Sequence, residues 1–282
     1  MSNVKDNTFS KIERFVNVID KAGNILLDRF HKRNRQLAKG ADPGFIEEKS
    51  EKELVIEEDL LSEKMIIDQI VKLDSDAVIY SEEKNNIHTL HKDNRSSKFI
   101  LDPLDGTHNF YYGLPYWGIA LALVDEFNRP IAGLINIPCL NIFLRNDGKG
   151  SPTMLKQDED WHEVKAIERR LEKSLISYDN QFYKLGHRSI KIYDVLAHSA
   201  FTSRITGSAV TDCALIAVGR INGRVWNKTL SYDIAAGIPI VLGSGGFVSD
   251  FLGNEINVLA SKVIMSSGRN LHDRLIKEIS GV

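Results

Sequence analysis

Five carboxylates in this sequence, Asp59, Glu82, Asp102, Asp105 and Asp233, stand where a strand ends or a helix begins. The densest group is Asp102-Pro103-Leu104-Asp105-Gly106-Thr107-His108-Asn109-Phe110, which follows the apolar run Phe99-Ile100-Leu101. The run reads as a strand that delivers Asp102 to its end, Pro103 is expected to stop the sheet ladder, and Gly106 supplies a pliable backbone beside the hydroxyl of Thr107. Two carboxylates three residues apart are thereby aimed into one loop. Like charges that close are unfavourable unless a cation lies between them, and a hard divalent ion with oxygen ligands meets that need. The Gly106 and Thr107 amides, with a short helix expected to begin near Asn109, would form an anion cradle beside the metal. Cation plus cradle points to phosphate chemistry. Taken alone, the same residues also read as an ordinary Asp-Pro/Asp-Gly turn.

The other acids are weaker signals taken singly. Asp59 closes a run of acids from Glu47 and sits where the short strand of Leu54, Val55 and Ile56 hands over to a helix carrying Leu61, Met65, Ile66, Ile67 and Ile70. Helix starts hold and aim carboxylates, although a charge run is more often a solvated face. The strand Ala77-Val78-Ile79-Tyr80 ends in Ser81-Glu82-Glu83, at the place where an α/β sheet presents functional groups. Ile205-Thr206-Gly207-Ser208-Ala209 opens an apolar helix running to Val218, and its start reads locally as a capped core helix or, with the free amides of Gly207 and Ser208, as a second anion site. Asp233, in Leu230-Ser231-Tyr232-Asp233-Ile234-Ala235-Ala236-Gly237, falls in the first turn of a helix whose small residues demand close packing. Ser231 could cap that helix and leave Asp233 a bystander.

The elements that must position these groups follow from pattern. Residues 9–31 space Ile12, Phe15, Val16, Ile19, Ala22, Leu26 and Phe30 as one face of a helix. The basic stretch 29–39 is its solvated end, and 40–44 a loop. Residues 117–124, 131–137 and 140–144 read as a meander of antiparallel strands ended by the turn 146–150. The polar stretch 151–171 is expected to be irregular and to divide a lobe of residues 1–150, with the main metal site, from a lobe of 151–282 that completes it. The second lobe should contain a strand at 174–178, a helix at 190–201, a short strand at 223–226, a loop at 243–246, two further strands and a closing helix at 271–279.

With 282 residues the chain can bury a large core, and 36 basic against 38 acidic residues give no field for nucleic acid or an anionic membrane. A small-molecule partner is expected. No segment has the apolar length of a membrane span, and the first residues lack the apolar core of a signal peptide. Cys139 and Cys213 in apolar surroundings suit buried thiols in a reducing compartment, so a cytoplasmic location is expected.

In their order along the chain, these stations resemble the inositol monophosphatase family of magnesium-dependent, lithium-sensitive phosphatases. The stretch from Asp102 to Phe110 looks like the first family signature and that from Ser231 to Gly237 like the second, with Leu54-Val55, Asp59, the Glu82 station and Gly207-Ser208-Ala209 in support. Haloacid-dehalogenase-type phosphatases are set aside, because their paired acids are two residues apart and lie near the N-terminus.

The resemblance implies a layered α/β fold, an αβαβα sandwich of alternating helix and sheet layers, with the site between two halves, and a homodimer. It also implies two to three Mg2+ ions: Glu82, Asp102 and the Leu104 carbonyl on one, Asp102, Asp105 and Asp233 on a second, and Glu82 supporting a third. Thr107 and Asp59 correspond to the pair that activates the attacking water for direct in-line displacement, and the Gly106 and Thr107 amides to groups that steady the phosphate. Asp105, Gly207, Ser208, Ala209, Trp226 and Asp233 fall on the substrate side.

Two positions depart from the family pattern. Ile56 replaces a threonine before Asp59, and the family's nearby lysine corresponds loosely to Lys49. Trp226 replaces the glutamate that contacts the sugar ring in inositol-specific members; a flat ring followed by Asn227 and Lys228 suits a base or a second phosphate, and the alternative is that the ring packs inward. The expected activity is hydrolysis of a small phosphate monoester. The alternatives are a 3'(2'),5'-bisphosphate nucleotidase, a fructose-1,6-bisphosphatase, a histidinol-phosphatase, and, from a different class, a catalytically inert metal- or nucleotide-binding module.

Overall fold

A strand buried along its whole length needs a packed element on each face, because successive side chains point to opposite sides. The run Lys98–Asp105 is such a strand, and the layers form around it. The structure, a computed structural model, describes residues 12–41, 47–50, 53–83, 98–179 and 182–282. In chain order the elements are α1 (Val16–Leu37), the antiparallel pair β1 (Glu47–Ser50) and β2 (Glu53–Val55), α2 (Glu57–Leu73), β3 (Val78–Ser81), β4 (Lys98–Asp105), α3 (Thr107–Tyr111), β5 (Gly118–Val124), β6 (Pro130–Ile137), β7 (Ile142–Asn146), β8 (Thr153–Gln157) and β9 (Asp160–Glu163). There follow β10 (Leu175–Tyr178), α4 (Phe182–Ser199), β11 (Thr202–Arg204), α5 (Ala209–Ala217), β12 (Gly223–Trp226), α6 (Ser231–Ile234), α7 (Gly237–Gly243), β13 (Phe247–Ser249), β14 (Val263–Ser266) and α8 (Arg269–Ile279).

Strands β3 to β9 form a seven-stranded sheet in chain order, and the second sheet has the order β11-β10-β12-β14-β13. On one face of the larger sheet Phe99, Leu101, Leu121 and Leu134 pack against Ile19, Leu26, Ile66 and Ile70 of α1 and α2. On its other face Ile100, Ala122, Ile135 and Leu144 meet α5 and α7, whose far side carries Trp226, Val263 and Met265 of the smaller sheet. The outer face of that sheet, with Ile176, Tyr178, Val225 and Ile264, is covered by Ile192 and Leu196 of α4 and by Leu271, Leu275 and Ile279 of α8. These are the alternating helix and sheet layers of an αβαβα sandwich.

Several elements differ from their sequence pattern. Pro103 does not end its strand: Asp102 pairs with Ala120 and Asp105 with Gly118, so Pro103 and Leu104 oppose Ile119 alone in a bulge. A bulge tolerates a residue with no N–H to donate. The polar stretch 151–171 contains β8 and β9, whose alternation is weak because residues on both of their faces are half-buried or exposed. The fourth helix starts at Phe182 and is interrupted at Gly186, where φ is 65°. The basic stretch continues α1 to Leu37, with Arg29 paired to Glu57 at 3.0 Å and to Glu58 at 3.5 Å. Residues 9–11 of the expected first helix and 42–44 of the loop lie outside the described residues.

The middle layer is tight. A Cβ on Gly133 of β6 would lie 2.7 Å from the Ala236 carbonyl, and one on Gly237 would lie 2.4 Å from Cys213 Sγ in α5. The small face read at residues 234–237 is where α6 and α7 meet the sheet and α5. We expect Gly237→Ala to lower unfolding free energy by about 1–3 kcal/mol through overpacking against Cys213, read by urea denaturation.

His272 is buried between two hydroxyls, with Nε2 2.7 Å from Ser249 Oγ and Nδ1 2.9 Å from Ser266 Oγ. Burial lowers its imidazole from the ordinary 6.5 to about 4. Between those values the unfolded chain binds the extra proton, so this residue's contribution is complete above pH 6.5 and is lost as pH falls toward 4. Urea unfolding across that range should show wild type losing roughly 3 kcal/mol relative to His272→Gln, with no further divergence below pH 4.

Candidate active site

The bulge in β4 shapes the floor of the site. It lets Asp102 and Asp105 occupy one strand end, and the chain then turns at Gly106, whose φ of 82° is left-handed. A Cβ there would meet the Tyr116 carbonyl at 2.5 Å, so only glycine fits both the turn and the approach. Thr107 starts α3, and its Oγ1 has two acceptors, Asp59 Oδ1 at 3.0 Å and the Leu104 carbonyl at 3.1 Å. Ser81 of β3 pairs in parallel with Leu101, which brings the following residue, Glu82, to Asp102; Glu82 N donates to the Leu101 carbonyl at 3.2 Å.

Two acids use the same local device. Asp59 is the third residue of α2, and its Oδ2 accepts the Ile56 amide at 2.7 Å while Oδ1 accepts Thr107. Asp233 is the third residue of α6, and its Oδ2 accepts both the Leu230 amide at 2.9 Å and Thr229 Oγ1 at 3.0 Å. Each helix start immobilises one carboxylate oxygen and releases the other. Ser231 is therefore not the cap of α6. Ile56 has no hydroxyl to offer its helix, and its side chain, 4% exposed, instead joins the core beneath α1.

Asp105 is held from the second half of the chain. Its Oδ1 accepts Ala209 N at 3.2 Å; its Oδ2 accepts Val210 N at 3.0 Å and the Ser208 hydroxyl. Ser208 caps α5 by accepting Thr211 N at 3.1 Å. Of the two sequence readings of the α5 start, an anion site at Gly207 and Ser208 or a capped core helix, the structure has the capped core helix, and its Ala209 and Val210 amides are taken by the protein's own carboxylate.

One oxygen each of Asp102, Asp105 and Asp233 lies within 4.8 Å of the others. Burial and the neighbouring Glu82, Asp105 and Asp233 push Asp102 well above the carboxylate range. Burial raises Asp105 despite the opposing pull of its three hydrogen-bond donors and of the Arg224 charge; burial and Asp105 raise Asp233 to about 7. Asp59, 1% exposed, is pushed to about 8 by burial, with Glu83 adding to the effect. Asp102 Oδ1 is buried with no hydrogen-bond partner among the described residues. An all-oxygen donor set with an unpartnered buried carboxylate oxygen fits a hard divalent cation.

Of the residues singled out from sequence, Asp59, Glu82, Asp102, Leu104, Asp105, Gly106, Thr107, Ser208, Ala209 and Asp233 are joined by these contacts. Trp226 is not an open platform: its ring is 1% exposed, packs in the middle layer and lies under the Arg224 guanidinium at 4.8 Å. Thr229 was not legible beforehand as a partner of Asp233; a hydroxyl four residues before a helix-start acid is its only signal. The cysteines are unpaired, and burial raises the Cys139 thiol to about 11 and Cys213 further, so neither is a nucleophile at neutral pH.

Known proteins of similar sequence and fold place the chain in a family. The fructose-1,6-bisphosphatase/inositol-1-monophosphatase of Thermotoga maritima is 30% identical over 231 residues, covering 82% of this chain and 84% of that protein. The Nus factor SuhB of Haemophilus influenzae is 30% identical over 262 residues, 91% of each. The solved IMPase of Thermotoga maritima superposes with a TM-score of 0.78 at 28% identity, covering 96% of this chain and 97% of that one. The inositol monophosphatase of Anabaena, at 19% identity and a TM-score of 0.79 over 98% and 97% of the two chains, shares the fold. The inositol monophosphatase family matches residues 10–282, and with the acids of both halves gathered at one site, the chain belongs to that family of phosphatases.

Proposed function

We propose that the protein hydrolyses a small phosphate monoester with Mg2+, by direct attack of water. The observation that supports this most is the convergence of Asp102, Asp105 and Asp233 around an unpartnered Asp102 oxygen. In this reading Glu82, Asp102 and the Leu104 carbonyl hold one ion and Asp102, Asp105 and Asp233 a second, with Glu82 also serving a third. Bound there, Mg2+ supplies positive charge against the phosphoryl oxygens and makes water more acidic.

The chain's own groups do the rest. Thr107 Oγ1, donating to Asp59 Oδ1, keeps its lone pairs for a water proton, and Asp59 is the final acceptor. The Gly106 and Thr107 amides hold the phosphoryl oxygens, and glycine at 106 permits the left-handed turn against the Tyr116 carbonyl that presents them. Asp105 and Asp233, tied at helix starts, fix the far side against reorganisation.

The hydrogen bond between Thr107 and Asp59 supports an active enzyme over the inert-module alternative. Trp226 is buried, so stacking on a base has none either. A panel of inositol phosphates, 3'(2'),5'-bisphosphonucleosides, fructose 1,6-bisphosphate and histidinol phosphate ranks the substrates by kcat/KM. The proposal includes a cytoplasmic homodimer.

Two variants test the assignment. Asp102→Asn should cut phosphate release more than about 100-fold and abolish the rise in Tm on adding Mg2+. Its metal-free Tm should equal or exceed that of wild type, because one buried like charge is gone. Activity near wild type would sink the metal assignment. Thr107→Val should lower kcat by about 10²- to 10³-fold while keeping the Mg2+-induced Tm rise, which separates proton handling from metal binding.

A further inference from the structure

The start of α5, which grips Asp105, is itself tied down by a buried network. Asn109 Nδ2 donates to the Thr206 carbonyl at 2.9 Å and to the Tyr116 carbonyl at 2.6 Å, joining α3 to the segment ahead of α5. Thr206 Oγ1 donates to Asp212 Oδ1 at 2.9 Å and accepts Ser208 N at 3.4 Å. On its other oxygen Asp212 accepts Ser177 Oγ at 2.5 Å and the Arg224 guanidinium.

Asp212 is the one charge in a helix whose other residues are apolar or hydroxyl-bearing, and every residue of Ala209–Ala217 is buried. The Asp212 and Arg224 side chains are 0% and 4% exposed. A buried ion pair adds little to stability compared with apolar residues of the same volume. What this pair does hold is position. Gly207, at a φ of 76°, makes a turn that the Thr206 hydroxyl, the Ser208 cap and the Asn109 amide define, and Asp212 is the acceptor that fixes the Thr206 side chain. From that turn the Ser208 hydroxyl and the Ala209 and Val210 amides reach Asp105, and the Thr206 carbonyl reaches α3 just after Thr107.

We propose that Asp212, with Arg224 as its counter-ion, is a positioning residue. It locks the 206–208 turn so that α5 and Asn109 together hold Asp105 and the loop of Gly106 and Thr107 in register. Its catalytic consequence rests on the phosphatase reading given above; its effect on Asp105 and on cation binding does not.

Thr206→Val removes the link to Asp212 and leaves the ion pair intact. The expected result is kcat lower by about tenfold at an unchanged KM, with Mg2+ binding, titrated calorimetrically with the metal alone, weaker by about tenfold. In the metal-free protein the Ala209 and Val210 amides should exchange hydrogen faster. Thr206→Ser, which keeps the hydroxyl, should restore all three. Asp212→Asn should show the same losses with a lower Tm, since Arg224 is left uncompensated.

Wild-type kcat, Mg2+ affinity and amide exchange in Thr206→Val would overturn the proposal. So would a Thr206→Ser variant as impaired as Thr206→Val, or an Asp212→Asn defect confined to Tm. A wild-type enzyme that releases phosphate from no monoester would remove the functional reading. Weakened Mg2+ binding and faster exchange in Thr206→Val would still uphold the positioning role.

Discussion

Holding carboxylates together out of water is the constraint on which this structure depends. Asp59 and Asp102 are each 1% exposed, and Asp105 is 8% exposed. A buried charge beside like charges is unfavourable unless hydrogen bonds or a cation compensate it, and the shifts at Asp59, Asp102, Asp105 and Asp233 all run toward the protonated form. The fold supplies part of the compensation with main-chain amides. Three of the four acids rest on helix starts, where unsatisfied N–H groups are available. Asp102 has no such support, and its lone oxygen marks where the remaining positive charge belongs.

That arrangement explains the layering. A site assembled from β4, α2, α5 and α6 must lie where elements from both halves of the chain meet, and the middle helix layer is the place common to the two sheets. Bringing helix starts so near a sheet needs small residues at the crossings, which Gly133 and Gly237 provide. The Gly106 turn answers the same requirement at the end of β4. Steric freedom at a few backbone positions is thus a precondition for the electrostatics.

On the substrate side the structure removes a candidate. Trp226 stands on the inner face of β12 two residues from Arg224, and the pair faces α5. An apolar residue at that position packs inward where a charged one would have to find polar company, so the character of the side chain decides where it goes. At Ile56 a core side chain likewise stands at a helix start, and Asp59 is held there by the Ile56 main-chain amide and by the Thr107 hydroxyl.

The acids, their order, and the strands and helices that carry them were readable from sequence, because strand alternation, helical spacing and turn residues are local properties. So was the glycine at 106, since a turn beside paired acids needs one. Local pattern could not show that the α5 amides are spent on Asp105, that Pro103 sits in a bulge, or that Thr206, Asp212 and Arg224 form one network. Each of these joins residues on separate elements, 103 to 105 positions apart for Asp105 and the α5 start. Which donor meets which acceptor across such distances is decided by packing of the layers. Chain chemistry named the groups, and tertiary structure alone chose their partners, because desolvation acts only once the layers have closed.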